Sequence, residues 1–330
     1  MKKKKPLSIR DIAKKAGYST ATVSRVINNQ GGYSEATKKA VHEAIQKTGY
    51  STGSNTSKRI GILVPDLSNE WFAQLCVALE KYLFEYGYSA FICNANEDSK
   101  RENFYFMEFN NCKVAAMICF VGSKALGTLA AGANFPVVFI DRVPIDTEQF
   151  ICLESDNYLG GYMATELLIH KGCKRIMLLG WERPLSVNLE RQQGYLDALK
   201  DHNIAVDKEL MVELSDESDH YEGARHLVSY LANKSLNFDG VFATNDLRAY
   251  GALQALQQNG IDVPGKVKII GYDDSAVSQR CYPALTTVHQ DCNQMAKKAV
   301  EILMNRIEDA ASGGSEHIVL PVSVIERGTT

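Results

Sequence analysis

The chain has 330 residues, 45% of them hydrophobic and 23% charged, with a formal net charge of −3. That length exceeds one ordinary domain, and no apolar run reaches the roughly 18 residues of a membrane span; the basic start Met1–Lys5 leads into a polar helix pattern instead of a signal-peptide core, so a cytoplasmic protein is expected. The charge is split, because residues 1–60 hold 13 Lys and Arg against 3 Asp and Glu, which sets a head of +10 on a body of −13, as in a nucleic-acid-binding module joined to a part that does not bind nucleic acid.

Three short helices are predicted in the first fifty residues, opening at Ser8, Ser19 and Ser34. Each hydroxyl is placed to accept an orphan N–H of a first turn. Between the first two lies Ala16-Gly17-Tyr18, a tight turn of helix-turn-helix spacing. Ile9, Ile12 and Ala13, then Val23, Val26 and Ile27, then Val41, Ala44 and Ile45 mark three apolar faces that can bury one another. The other face of the second helix shows Thr20, Ala21, Ser24 and Arg25, with Asn28 and Asn29 at its end. Arg suits bidentate bonding to guanine, and Thr or Ala methyls suit the thymine methyl. Hydroxyls at helix starts can hold phosphates as well as cap, although for each serine taken alone simple capping is the plainer reading. The candidate DNA-binding residues are Ser8, Ser19, Thr20, Ala21, Thr22, Ser24, Arg25, Asn28 and Ser34. Residues 1–50 form this head, and 51–59, short and Gly/Ser-rich, read as a linker.

From Ile60 the period changes. Strand patterns at 60–64, 89–93, 114–120 and 137–140 alternate with helix patterns at 69–86 and 101–111. A second series follows: helices 161–170, 191–200, 221–232 and 247–258, and strands 175–179, 240–243, 267–270 and 287–289. Such alternation implies parallel sheets with helices on both faces, here in two lobes whose ligand lies at the carboxyl ends of the strands. Those ends carry Asp66, Asn69, Trp71 and Phe72, then Asp141-Arg142, Arg191 opening a helix, Asn245-Asp246, Asp273-Asp274 and Gln290. Carboxylates, amides and guanidinium groups bond vicinal hydroxyls, and aromatic faces cover a sugar ring. Each residue alone reads more simply as a cap; together they suggest a sugar cleft.

No nucleotide fingerprint, metal-ligand spacing or nucleophile motif interrupts the pattern, and the seven histidines are dispersed. No catalytic residue, metal or cofactor is expected, and the protein is not expected to be an enzyme. Eight singleton cysteines, several in strand-like runs, fit reduced buried thiols.

Leu7-Ser8-Ile9-Arg10-Asp11-Ile12-Ala13, the turn that follows and Ala21-Thr22-Val23-Ser24-Arg25-Val26-Ile27-Asn28 closely resemble the head of the lactose-repressor (LacI/GalR) family. Val64-Pro65-Asp66, Ser155-Asp156-Asn157, Thr244-Asn245-Asp246, Gly271-Tyr272-Asp273-Asp274, Pro283–Val288 and Glu326-Arg327-Gly328 extend the likeness over nearly all the chain. The resemblance implies a fold with a small all-α helix-turn-helix head and an α/β two-lobed body like a periplasmic binding protein. It implies that Thr20, Ala21 and Arg25 read bases, and that Trp71, Phe72, Asp141, Arg191, Asn245, Asp273 and Gln290 bind an effector. It also implies three crossings between lobes, so that 60–157 joins 291–318 and 158–288 joins 321–330 in an effector-binding and dimerisation domain spanning 60–330. Relatives carry a hinge-helix Leu in the linker, whereas no Leu lies between Tyr50 and Ile60, so a minor-groove wedge is not expected.

The expected function is a homodimeric regulator, a repressor, whose grip on a double-stranded DNA operator is set by a small effector, a sugar in the first instance, with no membrane partner. A nucleobase co-repressor or a partner protein acting through the same fold is the alternative. A sugar-transport protein or a sugar-metabolising enzyme fits the head less well.

Overall fold

The computed structural model describes residues 8–27, 31–48, 57–144, 149–215, 219–234, 237–309 and 314–330. The chain divides into two units, Met1–Ser57 and Lys58–Thr330.

In the first unit, α1 (Ile9–Ala16), α2 (Thr20–Ile27) and α3 (Glu35–Thr48) bury Ile12, Ala13, Val23, Val26, Val41 and Ala44 against one another. Gly17 ends α1 at φ +78°, and its N–H donates to the Ala13 carbonyl at 3.0 Å. A left-handed residue at this turn favours glycine, because a Cβ there meets its own backbone. Asn28 and residues 51–56 of the linker lie outside the described residues.

In the second unit, β1 (Arg59–Val64), α4 (Glu70–Glu85), β2 (Ser89–Asn94), α5 (Ser99–Asn111), β3 (Ala116–Cys119), α6 (Lys124–Ala131), β4 (Val137–Ile140) and β5 (Ile151–Ser155) come first. Next are α7 (Asn157–His170), β6 (Ile176–Trp181), α8 (Ser186–Asp201), β7 (Met211–Leu214), α9 (His220–Asn233), β8 (Gly240–Ala243), α10 (Asp246–Gln258), β9 (Lys268–Asp273), α11 (Ala276–Arg280) and β10 (Thr286–His289). The series closes with α12 (Cys292–Glu308), β11 (Glu316–Leu320) and β12 (Ser323–Ile325). One sheet runs β11-β5-β4-β3-β1-β2 and the other β12-β10-β9-β8-β6-β7. All pairs are parallel except β10 with β12. The chain therefore passes between the sheets after Ser155, after His289 and after Leu320.

Both faces of each sheet are covered, as uninterrupted apolar strands require. Ile60, Ile62 and Val64 pack with Leu75 and Leu79 of α4 and Val300 and Leu303 of α12. Leu63, Met117 and Cys119 pack with Phe106 and Phe109 of α5 and Leu126 of α6 on the other face. In the second lobe, Leu179, Val241 and Ile269 meet Val228 of α9 and Leu253 of α10, while Leu178, Phe242 and Tyr272 meet Ala164 and Leu168 of α7 and Leu199 of α8. The predicted fold class, an all-α head with a two-lobed α/β body, is the one observed.

Two helices begin earlier than the sequence suggests. α8 opens at Ser186, so Arg191 lies inside it and does not open it; its N-cap, Leu185, makes no side-chain cap and leaves no start signal. α7 opens at Asn157, capped by Asp156, and runs straight through Gly160-Gly161. Those glycines are packing sites: a Cβ on Gly160 would stand 2.3 Å from the Tyr272 hydroxyl, and one on Gly161 2.2 Å from the Arg191 carbonyl. α6, β5, β7, α12 and both late strands were not marked by the periodicity. Cys112 is exposed, against the expectation of buried thiols, although Cys76, Cys119, Cys152 and Cys173 are buried.

Candidate functional site

The head presents its polar face as capping dictates. Ser8 donates both its backbone N–H and its hydroxyl to the Asp11 carboxylate, at 2.7 Å each. The Ser19 and Ser34 hydroxyls accept the N–H of Thr22 and Thr37 at 3.1 and 3.2 Å. Along α2, Thr20, Ala21 and Arg25 are exposed, whereas Thr22 and Ser24 are half-buried.

The strand ends of both sheets in the body converge on a cleft of about 400 Å³, counted with its mouth. Its walls include Asn69, Trp71, Phe72, Asp141 and Arg142 from the first lobe, and Trp181, Arg191, His220, Thr244, Asn245, Arg248 and Asp273 from the second. Six of the seven effector residues named from sequence therefore lie together. The seventh, Gln290, stands behind the wall and donates its Nε2 to Asp273 Oδ1 at 2.8 Å. Sequence reasoning passed over Trp181, because it ended that strand at Leu179. It also passed over His220 and Arg248; the one available signal for Arg248 was its place one helical turn after Asn245.

Arg191 is held on every side. Its Nε donates to Asn157 Oδ1 (2.8 Å), its Nη1 to the Thr244 carbonyl (2.6 Å), and its guanidinium lies 3.6 Å from the Tyr272 ring centre. The carboxylate of Asp273 is 4.0 Å away. Asp141 and Asp273 adopt φ of +66° and +112°, rare for residues with a Cβ, and such strain persists where surrounding structure over-determines it. Burial raises the pKa of both carboxyls, with Arg191 pulling each back. Asn245 is occupied internally: its Oδ1 accepts the Arg248 N–H (2.8 Å), and its Nδ2 lies 3.2 Å from His220 Nδ1. Burial, reinforced by Arg248, Arg142 and Arg183, lowers His220 from 6.5 to about 3, so the ring is neutral and accepts that bond.

The mouth is bridged between lobes. Glu97 takes two bonds from Arg142 Nη1 (2.9 Å each) in its own lobe and one from Arg183 Nη1 of the other (2.6 Å). Glu70 Oε2 accepts the Val277 N–H across the same gap at 2.9 Å. Among the described residues, the buried atoms of the cleft walls with no hydrogen-bond partner include Trp71 Nε1, Trp181 Nε1, Arg142 Nε, Arg248 Nε and Nη2, Asp141 Oδ1, and Gln290 Oε1 just behind. Such groups are costly to bury unpaired, and all of them except Gln290 belong to residues that line the cleft. Behind them, Asp246 is a scaffold: it accepts from the Thr287 hydroxyl (2.6 Å) and from Ser275 N and Oγ (2.8 and 3.0 Å), which ties α10 to two strand ends.

Away from the cleft, Glu166 and His170 of α7 and His202 after α8 bring ligand-type atoms within 4.8 Å of one another, a grouping the sequence reading did not find. His202 Nε2 lies 3.5 Å from Glu166, and its ring stands edge-on to that of His170. No helix of the described residues is long and apolar enough to cross a membrane.

Comparison with known proteins gives two family matches: residues 8–53 match bacterial regulatory proteins of the lacI family, and residues 165–330 match the periplasmic binding protein-like domain. The HTH-type transcriptional repressor PurR of Actinobacillus pleuropneumoniae serotype 3 is 34% identical over 310 residues, 91% of each chain. The transcriptional regulator CelR in complex with cellobiose superposes with a TM-score of 0.75 at 26% identity, covering 98% of this chain and all of that one. A periplasmic binding protein/LacI transcriptional regulator from Alkaliphilus metalliredigens, complexed with D-xylulofuranose, has a TM-score of 0.70 at 30% identity, over 83% and 99% of the two chains.

Proposed function

Since the chain belongs to the lacI family of bacterial regulatory proteins and is a transcriptional repressor, not an enzyme, we propose that its signal is a sugar held between the two lobes of the body. The observation that carries this reading is the convergence of Asp141, Arg191 and Asp273 with the rings of Trp71 and Phe72 at strand ends of both sheets. Carboxylate and guanidinium edges suit vicinal hydroxyls, and indole and phenyl faces suit the apolar side of a sugar ring. Two structural neighbours, CelR with cellobiose and the Alkaliphilus regulator with D-xylulofuranose, support the same class of ligand. The relatives named PurR favour a second reading, a nucleobase in the same cleft.

A ligand that bonds both lobes favours the closed arrangement and shifts the population toward it. Thr20, Ala21 and Arg25, exposed on α2, read base edges in the major groove. Ser8, Ser19, Thr22, Ser24, Asn28 and Ser34 position the helix against the DNA backbone. Two copies pair along the β2 edge of the first lobe, where Val77 and Phe84 of α4 on one side of the sheet, Phe91 and Ile92 of β2, and Phe104 and Met107 of α5 on the other side are exposed. Head 1–50, linker 51–59 and body 60–330 are the working divisions.

The test is selection of duplexes from a random pool by the full chain, followed by titration of the enriched sequence with ribose, xylulose, cellobiose, guanine and hypoxanthine. Enrichment of two half-sites about one helical turn apart, with affinity changed by a sugar, is the expected result. A response to the purines alone overturns the sugar reading; no enrichment overturns the operator reading.

A further inference from the structure

Arg248 lines the cleft from α10 and is 2% exposed. Its Nη1 donates to the Thr244 hydroxyl at 2.7 Å, while its Nε and Nη2 are buried with no hydrogen-bond partner. Those two atoms form one lateral edge of the guanidinium, the edge that takes two oxygens of a carboxylate or phosphate in parallel. The other arginines beside the cleft each already bond a protein carboxylate or carbonyl, Arg142 leaving only its Nε buried without a partner. Arg191 is pinned by Asn157 and Thr244 with Asp273 at 4.0 Å, and Arg142 and Arg183 divide the Glu97 carboxylate between them. No ion pair joins Arg248 to a carboxylate among the described residues.

We infer that the effector is a sugar derivative carrying an anionic group, a phosphate or a carboxylate, and that the Nε–Nη2 edge of Arg248 is the subsite that receives it. This rests on the reading of the cleft as a sugar site. A neutral diol could accept the same two bonds, but it would leave this buried cation only the more distant carboxylates of Asp273 and Glu97, which Gln290, Arg142 and Arg183 already engage, and that is the costly arrangement. The surroundings of Arg248 are basic as well. The guanidinium carbons of Arg142, Arg183 and Arg248 lie 5.6, 5.0 and 5.5 Å from the centre of the single Trp181 ring. Trp181 adds its own buried, unpartnered N–H beside them. His220, against the same indole at 5.1 Å, is held neutral in part by these cations. An anion placed here supplies what this end of the cleft lacks, while Asp141, Asp273 and Phe72 receive the sugar body.

The test is calorimetric titration of the full chain with two matched trios: ribose, ribose 5-phosphate and ribonate, and glucose, glucose 6-phosphate and gluconate. At least one anionic member should bind tenfold or more tightly than its neutral parent, and comparing the two anions tells phosphate from carboxylate. Arg248→Met should bring the anionic-to-neutral affinity ratio close to one, and Arg248→Lys, which keeps the charge but loses the fork, should give an intermediate ratio; melting curves verify that both variants fold. Neutral sugars binding as well as their charged counterparts, or a ratio unchanged in Arg248→Met, overturns the inference and leaves the sugar reading standing. Binding by none of the six overturns both.

Discussion

His220 shows how one residue links the cleft to acid stability. Its folded-state pKa is lowered to about 3 from 6.5, so the unfolded chain takes up a proton that the folded chain refuses. The contribution is fully present above pH 6.5 and is lost as pH falls from there toward 3, at up to about 1.4 kcal/mol per pH unit. Replacing it with Asn should flatten that limb of a plot of melting temperature against pH; an unchanged limb means that other groups carry the acid sensitivity. The same residue marks the limit of sequence reading at this scale. Asp141, Asn245 and Asp273 were legible because strand ends in a doubly wound fold face the ligand crevice, so position along the chain fixes position in space, whereas Arg191, inside α8, was placed by the family resemblance. His220, Glu97 and Arg183 were not. Glu97 and Arg183 are 86 residues apart and meet only because two lobes close on each other, and no periodicity encodes that.

At the scale of elements, helices and strands that alternate with a clear period were found nearly at their observed positions, for example β4 at 137–140 and β8 at 240–243. Those missed had a mute or misleading start. α8 lacks a polar cap, and α7 carries a Gly pair that local propensity reads as a breaker. Gly161 is explained by the α7–α8 crossing, where a Cβ on Gly194 would also fall 2.2 Å from the Tyr158 carbonyl, and Gly160 by the Tyr272 ring of β9 packed against it. Gly161→Ala should therefore cost about 1–3 kcal/mol by overpacking. Because its clash is with the backbone of Arg191, effector affinity should fall with stability. Gly180→Ala is the control: its nearest neighbour would be a side-chain atom of Glu213 at 3.8 Å, so it should be neutral or slightly stabilising. Equal melting temperatures for the two variants would remove the crossing from the account.

For the body as a whole, the bridges Glu97–Arg183 and Glu70–Val277 tie the two lobes together. The chain has two tryptophans, and Trp71 and Trp181 line the cleft from opposite lobes at 2% and 5% exposure. Intrinsic fluorescence thus reports closure directly. In the double variant Glu70→Ala with Arg183→Met, emission should move to the red and acrylamide quenching should rise severalfold, and effector should reverse both. A spectrum indistinguishable from that of the parent would show that the bridges do not govern opening.

The way the strands are shared between the sheets has a consequence for biosynthesis. β11 completes one sheet and β12 the other, and both come after every other strand of either. A ribosome that has made residues 1–315 has finished neither lobe, so the sensor cannot mature one half at a time as it emerges. A message broken before that point yields no spare single-lobed receptor to compete with intact copies, only a polypeptide with two further sheet edges, β5 and β10, left open for quality control to remove.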